Sequence, residues 1–511
     1  MGEVVELKSS QVMPLATSPS DTNTEAEAMQ TITIIDGDPS KDITSSTKLQ
    51  GYQHNPQEAW LPITESRNGN TYFATFHLIC SGLGWQALSL PIAFASLGWT
   101  WGIICLSLAF AWQLYTIFIL VQLHESIPGI RYSRYMQLAI ASFGRKLGKF
   151  LAKFPLMYTS GGTCILLIIN GGEILDLLFK TICENEAKCH AKSLSGTEWF
   201  LVFTCMAILI APLPNLNSMA KVSLIGATTA IGYCTLILVL SITKGRPTGI
   251  SYDQSNAMKS NMKKFSDTLN ALAIIALALR GHNVILEIQG TLPSDQNRTS
   301  YKPMCRAVTI SYTVIAMSQF PLAIVGFWAY GNKASTFSFI ELDEICSISF
   351  VPFNGGLLSA YSQIHGANTS KLMMASIYLL VFVNHLCTFQ VYAMPVFDNM
   401  EMRYITKKKK PCSKWVRTCL RILFGGLTFL AAVALPFFGS LTLLMGGIAL
   451  PLTFAYPCFM WIAMKKPRPN RVVWSIKLVL GCFGIVFSVL IVIAAAWTLS
   501  DEGLKADFFK P

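Results

Sequence analysis

Ser81-Gly82-Leu83-Gly84-Trp85-Gln86 breaks an apolar run that extends from Tyr72 to Trp99, and Arg280-Gly281-His282-Asn283 breaks another between Leu269 and Ile288. Glycines and polar groups at the centre of a membrane helix free backbone N–H and C=O groups that lipid cannot satisfy, so they are kept only where protein or water meets them. Outward from these two breaks, apolar stretches of about 20 residues, the length that crosses a bilayer, recur almost to the C-terminus. Spans are expected at 71–98, 101–123, 150–179, 197–214, 219–243, 267–289, 306–330, 371–396, 419–438, 440–463 and 474–499. The broken segments are the first and the sixth of these eleven, so each opens a set of five. Broken helices at corresponding places in two halves are the sequence mark of a solute-binding site near the bilayer midplane.

Composition agrees with an all-α polytopic membrane protein. Of 511 residues, 52% are hydrophobic and only 13% charged, with a mean hydropathy of +0.46; a soluble chain carries about 25% charged residues. Residues 1–66 are polar and without period, and are expected to form a disordered tail ahead of a transmembrane domain at 67–511. The opening MGEVVELKSS lacks the basic start and apolar core of a cleavable signal peptide, so the first span is expected to act as its own insertion signal.

The net charge of +12 does not point to nucleic acid, because the basic residues collect in short loops rather than on one face. Arg131, Arg134, Arg145, Lys146 and Lys149 follow the second span, Arg403, Lys407 to Lys410, Lys414 and Arg417 the eighth, and Lys465, Lys466, Arg468 and Arg471 the tenth. All three loops fall on the side of the N-terminus. Lys259, Lys263 and Lys264 dissent mildly on the other side. By the positive-inside rule the N-terminus is cytosolic and the C-terminus extracellular. Asn297-Arg298-Thr299 is then a cytosolic, bare sequon, and Asn368-Thr369-Ser370 an exofacial glycosylation candidate close to the eighth span.

Most of the 14 cysteines lie inside apolar spans and pack as small hydrophobes. Cys183 and Cys189 share a short polar loop, where a disulfide and two free thiols both remain open. No cysteine–histidine spacing suits a metal, and no nucleophile, zincin or P-loop motif is present, so neither an enzyme nor a cofactor is expected.

Several short stretches carry a resemblance. Phe76-His77 is followed by Leu88-Ser89-Leu90-Pro91, then Val121-Gln122-Leu123-His124-Glu125 and Pro128-Gly129-Ile130-Arg131-Tyr132-Ser133-Arg134-Tyr135. Leu213-Pro214-Asn215-Leu216-Asn217-Ser218 and Gly281-His282-Asn283-Val284-Ile285-Leu286-Glu287-Ile288-Gln289 come next, then Tyr392-Ala393-Met394-Pro395-Val396-Phe397-Asp398 and Pro436-Phe437-Phe438-Gly439. In this order, over residues 57 to 511, the chain resembles the plant amino acid/auxin permease family, in its lysine–histidine transporter-like branch. The resemblance implies a five-plus-five inverted repeat with one extra helix, shared with sodium-coupled amino acid transporters. It also implies proton-driven uptake of amino acids across the plasma membrane, with the proton gradient in place of a cofactor and a monomer as the working unit.

A zwitterionic amino acid offers an ammonium to free carbonyls and a carboxylate to free N–H groups at helix ends. The expected substrate contacts are Ser81, Gly82, Leu83, Gly84, Trp85 and Gln86 on the first span and Leu279, Arg280, Gly281 and His282 on the sixth. Tyr158, Ser160 and Thr163 on the third span, with Asn384 and Thr388 on the eighth, are side-chain pocket candidates, although hydroxyls also bond back to their own helix. Most of the family carries small residues at Trp85 and Gln86 and a small or aromatic one at Arg280. A charge at a helix centre costs roughly 2.5–3.5 kcal/mol on insertion scales, so Arg280 is expected to bind a substrate carboxylate, to pair with Glu173, or to face a water-filled vestibule. The first two disfavour cationic substrates. For proton coupling, His282 is the first candidate, followed by Glu173 and Glu287. A membrane sensor that binds an amino acid without carrying it, or a carrier of an amino acid-related compound, would keep the same pocket.

Overall fold

A computed structural model describes residues 60–183, 193–212, 216, 218–252, 261–279, 281–295, 298–336, 356–435, 442–466 and 472–501. Local chemistry sets the helix starts. Asn70 accepts the Phe73 N–H at 2.9 Å and opens helix α1, Thr71–Gly82. A 3-10 turn, Trp85–Ser89, leads into α2, Leu90–Leu123. Inside α2, Gly98 sits at φ 75°, ψ 178°, a conformation that a residue with a Cβ avoids. The chain turns there, and the first span gives way to the second.

A corner at Gly144 separates the short α3, Tyr135–Phe143, from α4, Arg145–Met157. Pro155 lies within α4 and is followed by a π-helical turn, Tyr158–Gly162, and then α5, Thr163–Cys183. A capping box of Ser195 and Glu198 starts α6, Gly196–Ile210, and α7 is Ala220–Lys244. The sixth span is made of α8, Asn261–Ala278, and α9, His282–Gly290. Helix α10 is Tyr301–Tyr330, α11 Lys333–Thr336 and α12 Gly356–His365. Ser370 and Ser413 cap α13, Lys371–Lys408, and α14, Lys414–Ala434. The tenth span is built of α15, Thr442–Ala449, α16, Pro451–Phe454, and α17, Tyr456–Lys465, and α18 is Val472–Asp501.

Nine stretches among the described residues are long and apolar enough to cross a membrane. One of them, Trp85–Leu123, contains the Gly98 corner and so holds parts of two spans, and Gly196–Ile210 is a shorter apolar helix. With these two, each of the eleven expected segments has its helix. Helix α13 packs against α5 and α7, and α1 against α10 and α7. Helix α18 lies outside this bundle against α8 and α15, with Val479, Phe483 and Val486 turned outward.

Two features depart from the expectations. The folded body reaches back to Trp60, inside the stretch expected to be a disordered tail: Leu61 and Ile63 are buried, and the Leu216 N–H bonds the Pro62 carbonyl at 3.3 Å. Two apolar side chains in a polar context are too few to give a periodic signal, yet enough to seat a short segment on a preformed surface. Helices α3 and α12 were also unforeseen. They are shorter than a span and are held by buried side chains, Tyr135 and Leu138 in α3 and Leu357 and Tyr361 in α12.

Candidate functional site

Helix α1 ends at Gly82, and Leu83 and Gly84 leave the helix in extended conformations, with ψ of 92° and −171°. Helix α8 ends at Ala278, and Gly281 takes φ 132° before α9 begins at His282. A Cβ at Gly281 would meet nothing closer than the Tyr312 hydroxyl at 3.7 Å. Glycine is required there by backbone conformation, not by space.

The two breaks lie side by side. The Gln319 side chain of α10 donates from Nε2 to the Gly82 carbonyl at 3.4 Å and to the Ala278 carbonyl at 3.1 Å, so one amide joins the C-terminal ends of both half-helices. Helix α13 holds the residues before the first break. Thr388 Oγ1 donates to the Cys80 carbonyl at 3.2 Å, and the Tyr392 hydroxyl to the Ser81 carbonyl at 2.9 Å. Helix-terminal carbonyls have no partner within their own helix; here side chains from two neighbouring helices supply one donor each. Each carbonyl keeps a second lone pair.

Opposite these carbonyls, α9 presents the N-terminal end of a helix, where N–H groups and a partial positive charge favour an anion. Its first turn is held in place. The Thr116 hydroxyl lies 2.9 Å from His282 Nε2 and has carbonyls of its own helix at 2.9 and 3.1 Å. The hydroxyl either donates to Nε2 or accepts from it, according to the tautomer of the ring. Asn283 Nδ2 donates to Ser160 Oγ at 3.1 Å, inside the π-helical turn. Such turns mark places where a helix is locally re-aimed.

Ser81, Gly82, Leu83, Gly84, Trp85, Leu279 and His282 are all buried, and Gln86 is half-buried. Arg280 lies outside the described residues. Of the pocket candidates, Thr388 stands at the first break, while Asn384 donates to the Gly226 carbonyl of α7 at 2.9 Å. Thr163 bonds back to the Thr159 carbonyl at 2.5 Å, the alternative allowed for helical hydroxyls. Tyr158 is placed elsewhere: its ring stacks on Phe154, which is exposed. Ser160, a further pocket candidate on the third span, receives the Asn283 amide beside the second break, whereas Gln319, Tyr392 and Thr116 were not among the expected contacts. An amide in the apolar run of α10 was the available signal for Gln319, since buried polar groups in spans are rarely idle.

A second cluster lies at the end of the bundle that carries α3. Arg134 and Asp398 form a buried two-pronged ion pair, Nε to Oδ2 at 2.5 Å and Nη2 to Oδ1 at 3.1 Å. The Ile63 N–H adds a bond to Asp398 Oδ1 at 3.3 Å. Close by, Glu401 meets Arg417 at 3.0 Å and Arg421 at 3.6 Å, and Arg417 also reaches Glu65 at 3.2 Å. Glu287 is near this cluster but takes the Tyr135 N–H at 3.4 Å, leaving Asp398 as the carboxylate paired with Arg134. Glu173 is partly buried on α5, in the turn before Asp176, which pairs with Lys180 at 2.6 Å.

The loop after α2 is tied by Glu125 to Arg131 at 3.2 Å and to Ser300 Oγ at 2.8 Å. Burial raises the pKa of Glu125, but His124, Ser300 and Arg131 outweigh it and hold the carboxyl at about 2. Burial lowers His124 to about 4, so its ring is neutral at ordinary pH and the lasting partners are Arg131 and Ser300. A depressed carboxylate loses its stabilising effect only as pH falls through the folded value. Glu125 is therefore ionised at both pH 5 and 7.5, and pH dependence in that window arises elsewhere.

Cys183 is disulfide-bonded, and Cys189 lies outside the described residues. Asn368 is exposed just before α13, and Ser370 of its sequon is the helix cap, accepting the Met373 N–H at 3.3 Å. Asn297 is not among the described residues.

With this geometry in hand, similarity to known proteins becomes informative. A family model described as "Transmembrane amino acid transporter protein" matches residues 67–350 and 362–500. Lysine histidine transporter-like 8 of Arabidopsis thaliana is 48% identical over 89% of this chain and 84% of its own length. Lysine histidine transporter-like 7 of the same plant is 46% identical over 89% and 90%, and lysine histidine transporter-like 3 is 32% identical over 85% and 90%. Among solved structures, a Na+-coupled sialic acid symporter in a substrate-bound outward-open state superposes with a TM-score of 0.53 at 13% identity, covering 87% of this chain and 92% of that one. MhsT in complex with L-phenylalanine gives 0.51 at 12%, covering 84% and 99%. At such identity these two speak for the fold alone: the five-plus-five arrangement with broken first and sixth helices. The chain is a multi-pass membrane protein of the transmembrane amino acid transporter family, in its lysine–histidine transporter-like branch.

Proposed function

We propose that this protein is a proton-coupled symporter that takes up amino acids across the plasma membrane by alternating access. The observation that carries the proposal is the meeting of the two helix breaks under Gln319, with carbonyl ends on one side and the N-terminal end of α9 on the other. That is the complement of an ammonium and a carboxylate held a few ångströms apart on one carbon. The N-terminus is cytosolic and the C-terminus extracellular, by the charge of the loops, and the monomer is the working unit. Asn368 is then an extracellular acceptor for glycosylation, and a Cys183–Cys189 bridge would face the same oxidising side.

Proton coupling follows the family resemblance. Among the candidates, His282 is favoured by its place in the first turn after the second break, with Glu173 and Glu287 as the further groups. Radiolabelled alanine uptake in transport-deficient yeast, at external pH 5 and 7.5 with and without sodium, tests the reading. The expected result is acid-stimulated uptake that sodium does not change. Sodium-dependent uptake would replace the proton, and binding without flux at either pH would make the protein a sensor.

Neutral and acidic amino acids are the proposed substrates, because Arg280 stands in the second break and a like charge in a low-dielectric pocket is strongly repelled. The relatives' names point the other way, toward lysine and histidine. In the same assay Arg280→Ala should raise lysine uptake relative to aspartate about tenfold, the effect of about 1.4 kcal/mol. Equal uptake of aspartate, alanine and lysine by both wild type and variant would remove Arg280 from selectivity.

A further inference from the structure

Helix α4 runs through the π-helical turn into α5, so that Arg145–Cys183 is one helical stretch of 39 residues. At about 1.5 Å per residue it is about 58 Å long, against about 30 Å of hydrocarbon core. The apolar part begins near Leu156, and the length in excess of the hydrocarbon core lies in the lysine-bearing first turns of α4. In those turns Lys146, Lys149, Phe150, Lys153, Phe154 and Met157 recur at helical spacing on one face and line an open groove of about 500 Å³. Phe150 is 79% exposed and Phe154 47%. Among the described residues, none of the three lysines takes part in an ion pair.

We propose that this groove binds an anionic phospholipid of the cytosolic leaflet. The lysines would hold the headgroup phosphate, and Phe150, Phe154 and Met157 would lie along the glycerol and upper acyl carbons. Charge complementarity selects the occupant, since the cytosolic leaflet is the anionic one. The positive-inside rule accounts for cations at this end but not for their arrangement. Lys407 to Lys410, by contrast, simply follow one another at the end of α13, whereas in α4 the cations alternate with exposed phenylalanines, the mix of cationic and apolar side chains found on interfacial amphipathic helices. The cytosolic placement of this end rests on the topology proposed above.

The test uses the full-length protein, delipidated in neutral detergent and titrated with fluorescent phosphatidylserine, phosphatidylinositol 4-phosphate or phosphatidylcholine. The two anionic lipids should bind and phosphatidylcholine should not. Lys146→Gln/Lys149→Gln/Lys153→Gln should weaken anionic binding about 100-fold, taking the usual contribution of each lysine near an anionic surface. Phe150→Ala should weaken it less, and melting temperatures should stay unchanged because these side chains are exposed. Unchanged affinity in the triple variant would overturn the proposal. So would full displacement of the lipid by millimolar inorganic phosphate, which would reduce the site to a phosphate contact. Labelling of Lys146→Cys from outside intact cells, above the wild-type background, would refute the topology while leaving the detergent result standing, so the two failures are distinguishable.

Discussion

Asp398→Ala should abolish uptake and lower stability by about 3–5 kcal/mol, the usual cost of leaving one member of a buried ion pair without its partner. Arg134 is 5% exposed and Asp398 1%, so water does not replace the lost carboxylate. The pair ties α13 to the residue preceding α3, and the Ile63 N–H fastens the 60–64 segment to the same oxygen. A drop in the melting temperature of detergent-solubilised protein and loss of alanine uptake are the two readouts. Removing both charges separates folding from gating. Arg134→Met/Asp398→Leu should regain most of the stability, because apolar pairs of similar volume often replace buried ion pairs without loss. If it still fails to transport while melting like wild type, the pair acts in the transport cycle as well as in folding. Wild-type melting and uptake in Asp398→Ala would show that the pair does neither task.

Gln319→Leu should reduce uptake at least tenfold with little change in the amount of protein at the membrane. The substitution keeps the approximate size and removes the donor shared by the Gly82 and Ala278 carbonyls. A buried carbonyl left without its donor costs about 1–3 kcal/mol, and here the loss falls on the ends of the two half-helices that frame the proposed pocket. The matching control is Gln390→Leu. Gln390 donates to the Ala207 carbonyl at 2.7 Å and is equally buried, but it joins α13 to α6 away from the breaks. That variant should lower the melting temperature while leaving KM for alanine near wild type. Equal effects of the two substitutions on KM and on melting would reduce Gln319 to a packing residue.

The fold was legible because its signals are long. A span needs about 20 apolar residues, and every expected segment rose above the loops between them. The breaks were legible too, since Gly82, Gly84 and Gly281 stand where a continuous helix has no need of them. Shorter elements were not: α3, α12 and the 60–64 segment are held by a few buried side chains that carry no period of their own. Arg134 shows the same limit differently. In the loop after the second span it counted as one cation setting orientation, while in the structure it is half of a buried ion pair.

By itself the sequence determined the class of the protein, the order of its apolar helices, the two broken helices and the family. Each of these is written in hydropathy, in glycine placement or in short motifs that local physics reads without knowing the neighbours. Only the tertiary structure decided which donors satisfy the broken ends, that Gln319 bridges them, that the Tyr158 ring stacks on Phe154, and that Asp398 rather than Glu287 pairs with Arg134. The physical reason is that a buried polar group must find a partner, and its partner here lies on another helix: Asp398 is 264 residues from Arg134 and Gln319 is 237 from Gly82. No local pattern records a contact made across such a distance.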